Sequence, residues 1–411
     1  MPTQTENHAA PGPLAGCRVL ELGSIVAGPY CGRLLADFGA DVIKLEAPSG
    51  DRVRGLGHSY RGKSLFWASI NRNKRIISVD LKEPEGRAIV RRLMLRSDIV
   101  IENLRPGALE EWGLGYADVA ADNPRLVMVR ISGYGQTGPY ADRPGYGVIG
   151  EAMSGLRSII GDPDRPPPRA AMPLTDYITG VHAAFGAMAA LRHSERTGQG
   201  QVVDTALYES AFSFMESFVP AYEKLGVVPE RAGSRLPGSA PNNLYPTADG
   251  KFIHITAANA SIFHRLLTAM GRDDLRDHAE FGDAVWRQTH DEEVDALVAA
   301  WTVRHDLMPL ADILLAHRVP SAPIYTVEDV FRDPHVRARD MLVEVPDAEI
   351  GSVTLTGIVP KLSATPGALQ WSGRALGADT RAVLAAELGM AGAELDRLEA
   401  AGVIVSAGPP T

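Results

Sequence analysis

Cysteine is scarce in this sequence. Its 411 residues include two cysteines, Cys17 and Cys31, and these form neither a CxxC pair nor a metal-ligand cluster. Such sparing use of cysteine is typical of a reducing compartment, so the sequence predicts a cytoplasmic protein. The 11 histidines contain no HExxH motif, and His254 and His264 fall in a predicted strand and a predicted helix without a third ligand. No metal site is therefore expected.

A surplus of positive charge is also missing. The net charge is −9 and the isoelectric point is about 5.7, which disfavours nucleic acid as a partner, although a local basic pocket can still bind an anionic ligand. No window reaches the roughly 18 consecutive apolar residues that a membrane-spanning helix needs. No GxSxG motif occurs, so the nucleophilic serine of an α/β-hydrolase is not indicated.

The sequence does contain an alternation of short apolar runs with helical stretches. Its length predicts two or three domains, and 45% hydrophobic residues suffice for a sizeable core. The alternation predicts an α/β fold whose mostly parallel sheet binds ligands beyond the carboxyl ends of its strands. Strands are predicted at residues 18–23, 41–46, 76–81, 98–103 and 125–133. Helices are predicted at residues 30–40 and 83–97.

The second half of the chain changes in composition. Residues 226–246, GVVPERAGSRLPGSAPNNLYP, are rich in proline, glycine and asparagine, which is typical of a linker or an active-site loop. A predicted strand at 250–257 and helices up to about residue 316 follow, and short strands return at residues 322–327, 341–345 and 352–357. The predicted segments are a disordered tail at 1–12, a large domain at 13–220, a linker and smaller domain at 221–320, and a C-terminal part at 321–411.

Residues 133–138, GYGQTG, match the GxGxxG pattern of dinucleotide-binding loops and follow a predicted strand. However, Pro139 follows the third glycine, and the next residues are typical of a loop rather than of an opening helix. An acidic residue about twenty positions further on has no predicted strand beneath it. The pattern therefore favours a flexible glycine loop near a ligand.

Basic residues cluster around two predicted strands. Lys74, Arg75 and Lys82 surround one strand, and Arg105 follows the next, at the edge of the sheet where ligands bind. A solvated charged face is the common outcome for such a group. The alternative is a phosphate-binding site, and the convergence of both groups on one edge favours it.

Asp176 stands near the start of a helix predicted within residues 171–191, AMPLTDYITGVHAAFGAMAAL. Small residues follow it in helical steps and permit close approach of a backbone or a ligand. These are Gly180, Ala183, Ala187 and Ala190. Two roles fit the acid. A carboxylate at a helix start is stabilised by free N–H groups and the helix dipole, and an ionised carboxylate beside an apolar cleft can attack an acyl group to form an anhydride.

Six long segments occur in a characteristic order. They are VAGPYCGRLLADFGADVIKLE, NRNKRIISVDLK, ENLRPGALEEWGLG, SGYGQTGPYADRPGY, AMPLTDYITGVHAAFGAMAAL and RTGQGQVVDTALYES. From Leu14 to Thr365 the chain thereby resembles the class III CoA-transferases, a group that includes formyl-CoA transferases and α-methylacyl-CoA racemases. The resemblance implies a ring-like monomer with a Rossmann-like large domain built from both chain ends and a smaller α+β domain. It also implies that two rings interlock into a homodimer.

The resemblance further implies a CoA-transferase that uses a CoA thioester as substrate and holds no permanent cofactor. Asp176 corresponds to the family nucleophile, which passes through an acyl anhydride, an aspartyl-CoA thioester and a second anhydride. One thioester and one carboxylate replace another such pair, so the enzyme has mainly to exclude water from its activated intermediates. The coenzyme contacts that carry over are Val26, Ala27, Leu81, Lys82, Asn103, Leu104, Arg105 and the active-site tyrosine Tyr146.

Differences from other members of the family narrow the range of expected substrates. Gly147 stands where formyl-CoA transferases carry an acid, and their glycine tetrad is missing, so transfer to formate or oxalate is disfavoured. Tyr146 stands where racemases carry a histidine base, which disfavours racemisation. Residues 144–169 are most similar to members that move CoA from succinyl-CoA to glutarate, citramalate, mesaconate or itaconate. Such an acceptor needs a cation for its remote carboxylate, for which Arg54 and Arg235 are candidates.

The predicted partners are an acyl-CoA donor, a small carboxylate acceptor and a second copy of the chain, with no nucleic acid and no membrane. Two alternatives stay open. One is an acyl-CoA epimerase or intramolecular CoA-transferase on the same fold. The other is an inactive CoA-binding subunit, against which the intact Asp176 motif speaks.

Overall fold

A computed structural model describes residues 12–407, so the predicted tail lies outside the described residues except for residue 12. The strands are β1 (Arg18–Glu21), β2 (Asp41–Glu46), β3 (Ser59–Tyr60), β4 (Lys63–Ser64), β5 (Arg75–Val79), β6 (Ile99–Glu102), β7 (Val127–Ser132), β8 (Val202–Ala206), β9 (Asn242–Pro246), β10 (Phe252–Thr256), β11 (Ser321–Pro323), β12 (Leu342–Asp347), β13 (Gly351–Thr356) and β14 (Ile404–Val405). The α-helices are α1 (Ala27–Asp37), α2 (Leu65–Ile70), α3 (Pro84–Met94), α4 (Ala108–Glu111), α5 (Tyr116–Ala120), α6 (Gly147–Met153), α7 (Leu174–Thr197), α8 (Leu207–Phe212), α9 (Phe218–Leu225), α10 (Ala260–Met270), α11 (Ala284–Thr289), α12 (Asp291–Thr302), α13 (Leu307–Ala316), α14 (Val327–Arg332), α15 (Pro334–Ala338), α16 (Thr380–Leu388) and α17 (Gly392–Ala400).

The central sheet has seven strands in the order β14–β5–β2–β1–β6–β7–β8. Its neighbours pair in parallel except at the edge, where β14 pairs antiparallel with β5. The strand order changes direction between β1 and β6, and in such sheets this switch point leaves a crevice at the carboxyl ends of the strands. The predicted α/β fold with a mostly parallel sheet is confirmed.

Helices cover both faces of this sheet, which explains why its inner strands are buried along most of their length. One core cluster joins the sheet to α3, α16 and α17, through residues such as Ile89, Leu384 and Leu398. The other joins it to α1 and α7, through residues such as Leu35 and Ala187. The strands and the two helices that the sequence predicts in the first half are present, with ends shifted by a few residues.

The small-residue face of α7 packs against α1. A Cβ on Gly180 would lie 2.9 Å from Cδ1 of Tyr30 and 3.0 Å from the carbonyl oxygen of Ala27, and both Ala183 and Ala187 are fully buried. Of the two uses that the sequence allowed for this face, the structure shows the close approach of another backbone.

The chain divides into two compact units. The first comprises the described residues up to Leu156, Ala170–Pro220 and those from His335 onward, and it contains the seven-stranded sheet. The second comprises Arg157–Arg169 and Ala221–Pro334. Its antiparallel sheet, β11–β10–β9, packs with α10, α12 and α13 around a core of its own. Helices α9 and α15 each cross a boundary between the units.

Some elements differ from the sequence-based expectation. The strand predicted at 322–327 is confined to β11, because a reciprocal pair of hydrogen bonds between Thr326 and Asp329 caps α14 from residue 327. The loop predicted at 226–246 ends in β9. Strands β8 and β14 were not predicted, since one is a half-exposed edge strand and the other spans two residues.

Candidate active site

The turns at the carboxyl edge of the central sheet surround a cavity of about 1000 Å³, at the upper end of the range for small-molecule sites. The structure brings all nine predicted site residues to this cavity. They are Val26, Ala27, Leu81, Lys82, Asn103, Leu104, Arg105, Tyr146 and Asp176. They come from five separate segments of the chain, which the fold brings together at this cavity. The role of each residue stays a prediction.

Two parts of the lining differ in origin. The sheet wall consists of the turns after β1, β2, β5 and β6, at residues 22–27, 47–52, 80–82 and 103–106. The loop wall consists of residues 141–146 together with Asp176. The predicted coenzyme contacts other than Tyr146 lie on the sheet wall, and the predicted nucleophile lies on the loop wall.

The turn after β1 has an unusual backbone. Ile25 has a φ of 65°, a left-handed conformation that strains a β-branched residue. Its N–H donates to the carboxylate of Asp51 at 3.2 Å. The amide of Asn103 accepts from the N–H of Ser24 at 2.7 Å and donates to its carbonyl at 2.9 Å. Asn103 therefore uses both atoms of its amide group to shape this turn.

Buried charges support the same turn. Lys44 donates to the carbonyl of Gly23 at 2.5 Å and forms ion pairs with Glu21 at 3.3 Å and Asp51 at 3.1 Å. Burial favours the neutral amine, but the carboxylates of Glu21 and Asp51 outweigh it and raise the pKa of Lys44. Burial also disfavours a charged Asp51, but the charge of Lys44 and the N–H of Val53 outweigh it and lower the pKa of Asp51.

The phosphate-binding interpretation is wrong for two of its four basic residues. Lys74 is fully buried, where its ammonium group lies 2.7 Å from Glu21, and burial lowers the pKa of Lys74 to about 8. Arg75 forms ion pairs with carboxylates outside the cavity, Asp41 and Glu387. The sequence pattern located these cations around a strand but could not show that carboxylates from other strands and from α16 form ion pairs with them. Lys82 and Arg105 do line the cavity.

Asp176 lies in the first turn of α7 and is half-buried. It is the third residue of the helix, and the residue before the helix is Pro173, which forms no side-chain cap. A proline has no N–H, so the reciprocal bonds of a capping box cannot form. Asp176 is therefore not the N-cap residue and completes no capping box, although the helix dipole still favours its charge.

Gly147 contacts the carboxylate of Asp176. A Cβ on Gly147 would lie 1.8 Å from Oδ2 of Asp176, far inside any tolerable contact. The position of this carboxylate therefore requires glycine at residue 147. The sequence showed Gly147 as a departure from formyl-CoA transferases, but it contained no signal for a contact across 29 positions.

The GYGQTG segment and the loop wall meet backbone to backbone. A Cβ on Gly145 would lie 2.6 Å from Cα of Gly133, and Gly135 and Gly138 have φ values of 92° and 91°. No helix opens in this segment, since α6 begins at Gly147. The glycines thus shape a loop beside the cavity, as the sequence favoured.

The two arginines expected to bind a remote carboxylate are engaged elsewhere. Arg54 donates to Glu46 at 2.9 and 2.7 Å and stacks 3.6 Å from the ring centroid of Trp67. Arg235, in the second unit, pairs with Asp291 at 3.1 Å. Arg54 does not line the cavity, and the charge of Arg235 is already balanced by Asp291, so the structure does not support these assignments.

One further motif lies outside the predicted site residues. Residues 57–64, GHSYRGKS, match the GxxxxGK[ST] loop of nucleotide-binding proteins. In the structure this segment contains the hairpin of β3 and β4, and Lys63 pairs with Asp347 and Glu349, each at 2.7 Å. A phosphate loop needs a free lysine between a strand and a helix, so the match is fortuitous.

Among residues 12–407, no group of three or more His, Cys, Asp or Glu side chains is placed to bind a metal ion. Within the same residues, no helix combines the length and the apolarity needed to cross a membrane.

Comparisons with known proteins agree with this geometry. The model of CoA-transferase family III matches residues 14–380. The succinyl-CoA–D-citramalate CoA-transferase of Chloroflexus aurantiacus is 47% identical over 96% of this chain and 98% of its own. The beta subunit of the succinyl-CoA–L-malate CoA-transferase of the same organism is 41% identical over 95% of this chain and 98% of its own.

A solved structure agrees as well. The crystal structure of a CAIB/BAIF family protein from Brucella suis has a TM-score of 0.83 and 33% identity, covering 92% of this chain and all of that one. Family model, relatives and fold together show that the chain is an enzyme that belongs to CoA-transferase family III.

Proposed function

We propose that this enzyme moves CoA from succinyl-CoA to a small dicarboxylate, with Asp176 as nucleophile. The observation that carries the proposal is the position of the Asp176 carboxylate, which lines the same cavity as the eight predicted coenzyme contacts. The donor and acceptor named for two similar enzymes, succinyl-CoA with citramalate or malate, support this substrate class.

The proposed reaction begins with attack of the Asp176 carboxylate on the thioester carbonyl. The C–S bond breaks, and the products are a mixed anhydride and CoA thiolate. The thiolate attacks the aspartyl carbonyl of this anhydride, releasing succinate and forming an aspartyl-CoA thioester. The acceptor carboxylate then displaces CoA to form a second anhydride. Finally the thiolate attacks the acceptor carbonyl of that anhydride, which releases the new thioester and restores Asp176.

The two walls suit different parts of this sequence. The sheet wall has a turn that is fixed by side-chain hydrogen bonds and carries Arg52, Lys82 and Arg105, whose charges suit the phosphates of CoA. The loop wall carries the nucleophile, and Asp176 is half-buried there, which limits the access of water to an anhydride formed on it.

The resemblance also leads us to propose a homodimer of interlocked rings in the cytoplasm. One similar protein is named as a beta subunit, so a hetero-oligomer is the alternative. Light scattering of the purified chain, expressed alone, distinguishes them: an active dimer supports the proposal, and an inactive monomer contradicts it.

The experiment that tests the function is a panel of acceptor acids incubated with succinyl-CoA, with mass detection of new thioesters. We expect products with citramalate, malate, glutarate, mesaconate or itaconate, and far less with formate or oxalate. Preferential transfer to formate, a monocarboxylate, would contradict the dicarboxylate assignment, and preferential transfer to oxalate would contradict the longer dicarboxylates as acceptors. Absence of transfer to every acid would contradict the transferase assignment.

The epimerase alternative has its own test. An epimerase must remove the proton next to the thioester carbonyl, which needs a base on each face of that carbon. Tyr146 lines the cavity where racemases carry histidine, and a tyrosine hydroxyl is a poor base at neutral pH. A chiral 2-methylacyl-CoA in deuterated water should therefore keep its α-proton, and rapid deuteration would favour the epimerase.

A further inference from the structure

The dicarboxylate assignment leaves one group without a partner, because each substrate has a second carboxylate that does not react. The charges of Arg54 and Arg235 are already balanced by ion pairs. Five cations line the cavity, namely Lys44, Arg52, Lys82, Arg105 and Arg143. Lys44 is paired with Glu21 and Asp51, and Arg105 is paired with Glu111.

The three remaining cations lie on different walls. Arg52 and Lys82 follow β2 and β5 on the sheet wall, and Arg143 lies on the loop wall with Asp176. Arg143 is four residues before Gly147, whose backbone contacts the Asp176 carboxylate. Four residues span at most about 14 Å, a gap that an arginine side chain and a short dicarboxylate can bridge.

Aromatic rings hold Arg143 without neutralising it. Its guanidinium carbon lies 3.5 Å from the ring centroid of Tyr140, and its backbone N–H donates to the carbonyl of Tyr140 at 2.9 Å. The Tyr140 ring packs edge-on against Tyr134, with centroids 6.0 Å apart. Among residues 12–407, no carboxylate forms an ion pair with Arg143. A stacked guanidinium keeps its N–H groups available for bidentate binding of a carboxylate.

We infer that Arg143 binds the distal carboxylate of the dicarboxylate acceptor and of the succinyl donor. This inference rests on the proposed function and names the residue that selects its substrate class. The same residue serves both half-reactions, since both acyl groups attach to Asp176 in turn. Because its side chain is stacked before the substrate arrives, little conformational entropy is lost on binding.

The test compares dicarboxylate with monocarboxylate substrates in the wild type and in Arg143→Met and Arg143→Lys variants. The donors are succinyl-CoA and butyryl-CoA, and the acceptors are citramalate and 2-hydroxybutyrate. Loss of a charge-assisted bond should lower the preference for the dicarboxylate, measured as a ratio of kcat/KM values, by about 10- to 100-fold in Arg143→Met. The lysine variant should recover part of that preference. The Kd of free CoA, measured by calorimetry, should change far less than the dicarboxylate KM.

A matched control replaces a cation on the other wall. Lys82→Met should weaken binding of succinyl-CoA, butyryl-CoA and free CoA alike. If Arg143→Met behaves in that same way, Arg143 binds the coenzyme and the inference is wrong. If the preference for dicarboxylates survives in Arg143→Met, the inference is also wrong while the proposed function stands. A wild type that accepts no dicarboxylate would overturn both.

Discussion

Buried ion pairs and side-chain hydrogen bonds hold the sheet wall in place, whereas close contacts of glycines shape the loop wall. Lys44, Asp51 and Asn103 fix the turn at residues 23–27 through side-chain bonds to its backbone. At the loop wall, Gly145 packs against Gly133 and the adjacent Gly147 packs against the Asp176 carboxylate, and a Cβ on either glycine would prevent its contact. The difference fits the two tasks. In the proposed roles, a coenzyme bound in one orientation needs a rigid frame, and a carboxylate that is acylated and released needs side-chain-free space beside it.

The largest effect is expected from a substitution of the predicted nucleophile on the loop wall. Asp176→Asn preserves the size of the side chain but removes the attacking carboxylate, so transfer should fall by about 10⁴-fold or more. The measurement is thioester exchange between succinyl-CoA and the acceptor. Circular dichroism and the Kd of free CoA serve as controls and should resemble the wild type. Near-wild-type turnover would contradict the nucleophile assignment and leave only the electrostatic role at the helix start.

The next largest effect is expected from a substitution in the buried ion pair that supports the sheet wall. Asp51→Asn leaves Lys44 with a weaker partner in a buried site, which should lower the free energy of unfolding by about 3–5 kcal/mol. The matched control is Glu349→Gln, which removes an exposed partner of Lys63 and should cost at most about 1 kcal/mol. Urea unfolding measures both. Equal losses would show that the buried pair does not support the turn.

The same variant has a predicted pH dependence. The pKa of Asp51 is lowered in the folded protein, so its ionised form contributes stability above the ordinary aspartate pKa of about 3.9. That contribution is lost as the pH falls through the lower folded value. The stability difference between wild type and Asp51→Asn should therefore shrink below about pH 4, and a constant difference would contradict the ion-pair explanation.

A smaller effect is expected from filling the space beside the Asp176 carboxylate. Gly147→Ala should displace the Asp176 carboxylate and lower kcat by about 100-fold, as expected for a misplacement of about 1 Å, with little change in the donor Kd. Gly392→Ala is the matched control, because a Cβ there meets nothing within 4 Å. It should leave kcat unchanged. Full activity of Gly147→Ala would show that the carboxylate can act from another position.

The sequence predicted more of the sheet wall than of the loop wall. Mainly apolar segments such as residues 41–46 and 125–133 predicted the sheet, because strands that are covered on both faces consist mostly of apolar residues. Family motifs then identified residues that the fold brings to one cavity. Neither signal reported pairings between side chains far apart in sequence. Lys74 and Glu21 meet only after the strands are ordered.

The loop wall was harder to predict for a different reason. Gly147 and Asp176 are separated by 29 positions, and glycine gives the same local signal whether it serves a turn or a close contact. The sequence identified Tyr146 and Asp176 by motif but assigned the remote carboxylate to Arg54 or Arg235. The stack of Arg143 on Tyr140 depends on a turn within the loop, which the residues PYADRPGYG do not specify.

The smallest expected effects concern Arg105, an exposed residue of the sheet wall. Its guanidinium is paired with Glu111, and the charge of Arg105 lowers the pKa of that carboxyl through a side-chain hydrogen bond. If Arg105 binds the donor, Arg105→Ala should raise the KM of succinyl-CoA by about 10-fold or more. An unchanged donor KM with a raised acceptor KM would contradict this placement.

Glu111→Gln sharpens the same point because it releases Arg105 from its ion pair without removing it. An exposed pair is weak, so the donor KM should fall by about 2- to 5-fold at low ionic strength. The difference should vanish near 1 M salt, where charges are screened within about 3 Å. The double variant Arg105→Ala/Glu111→Gln should match Arg105→Ala alone, since Glu111 then has no cation to release. A lower donor KM in the double variant would show instead that Glu111 repels the phosphates of CoA directly.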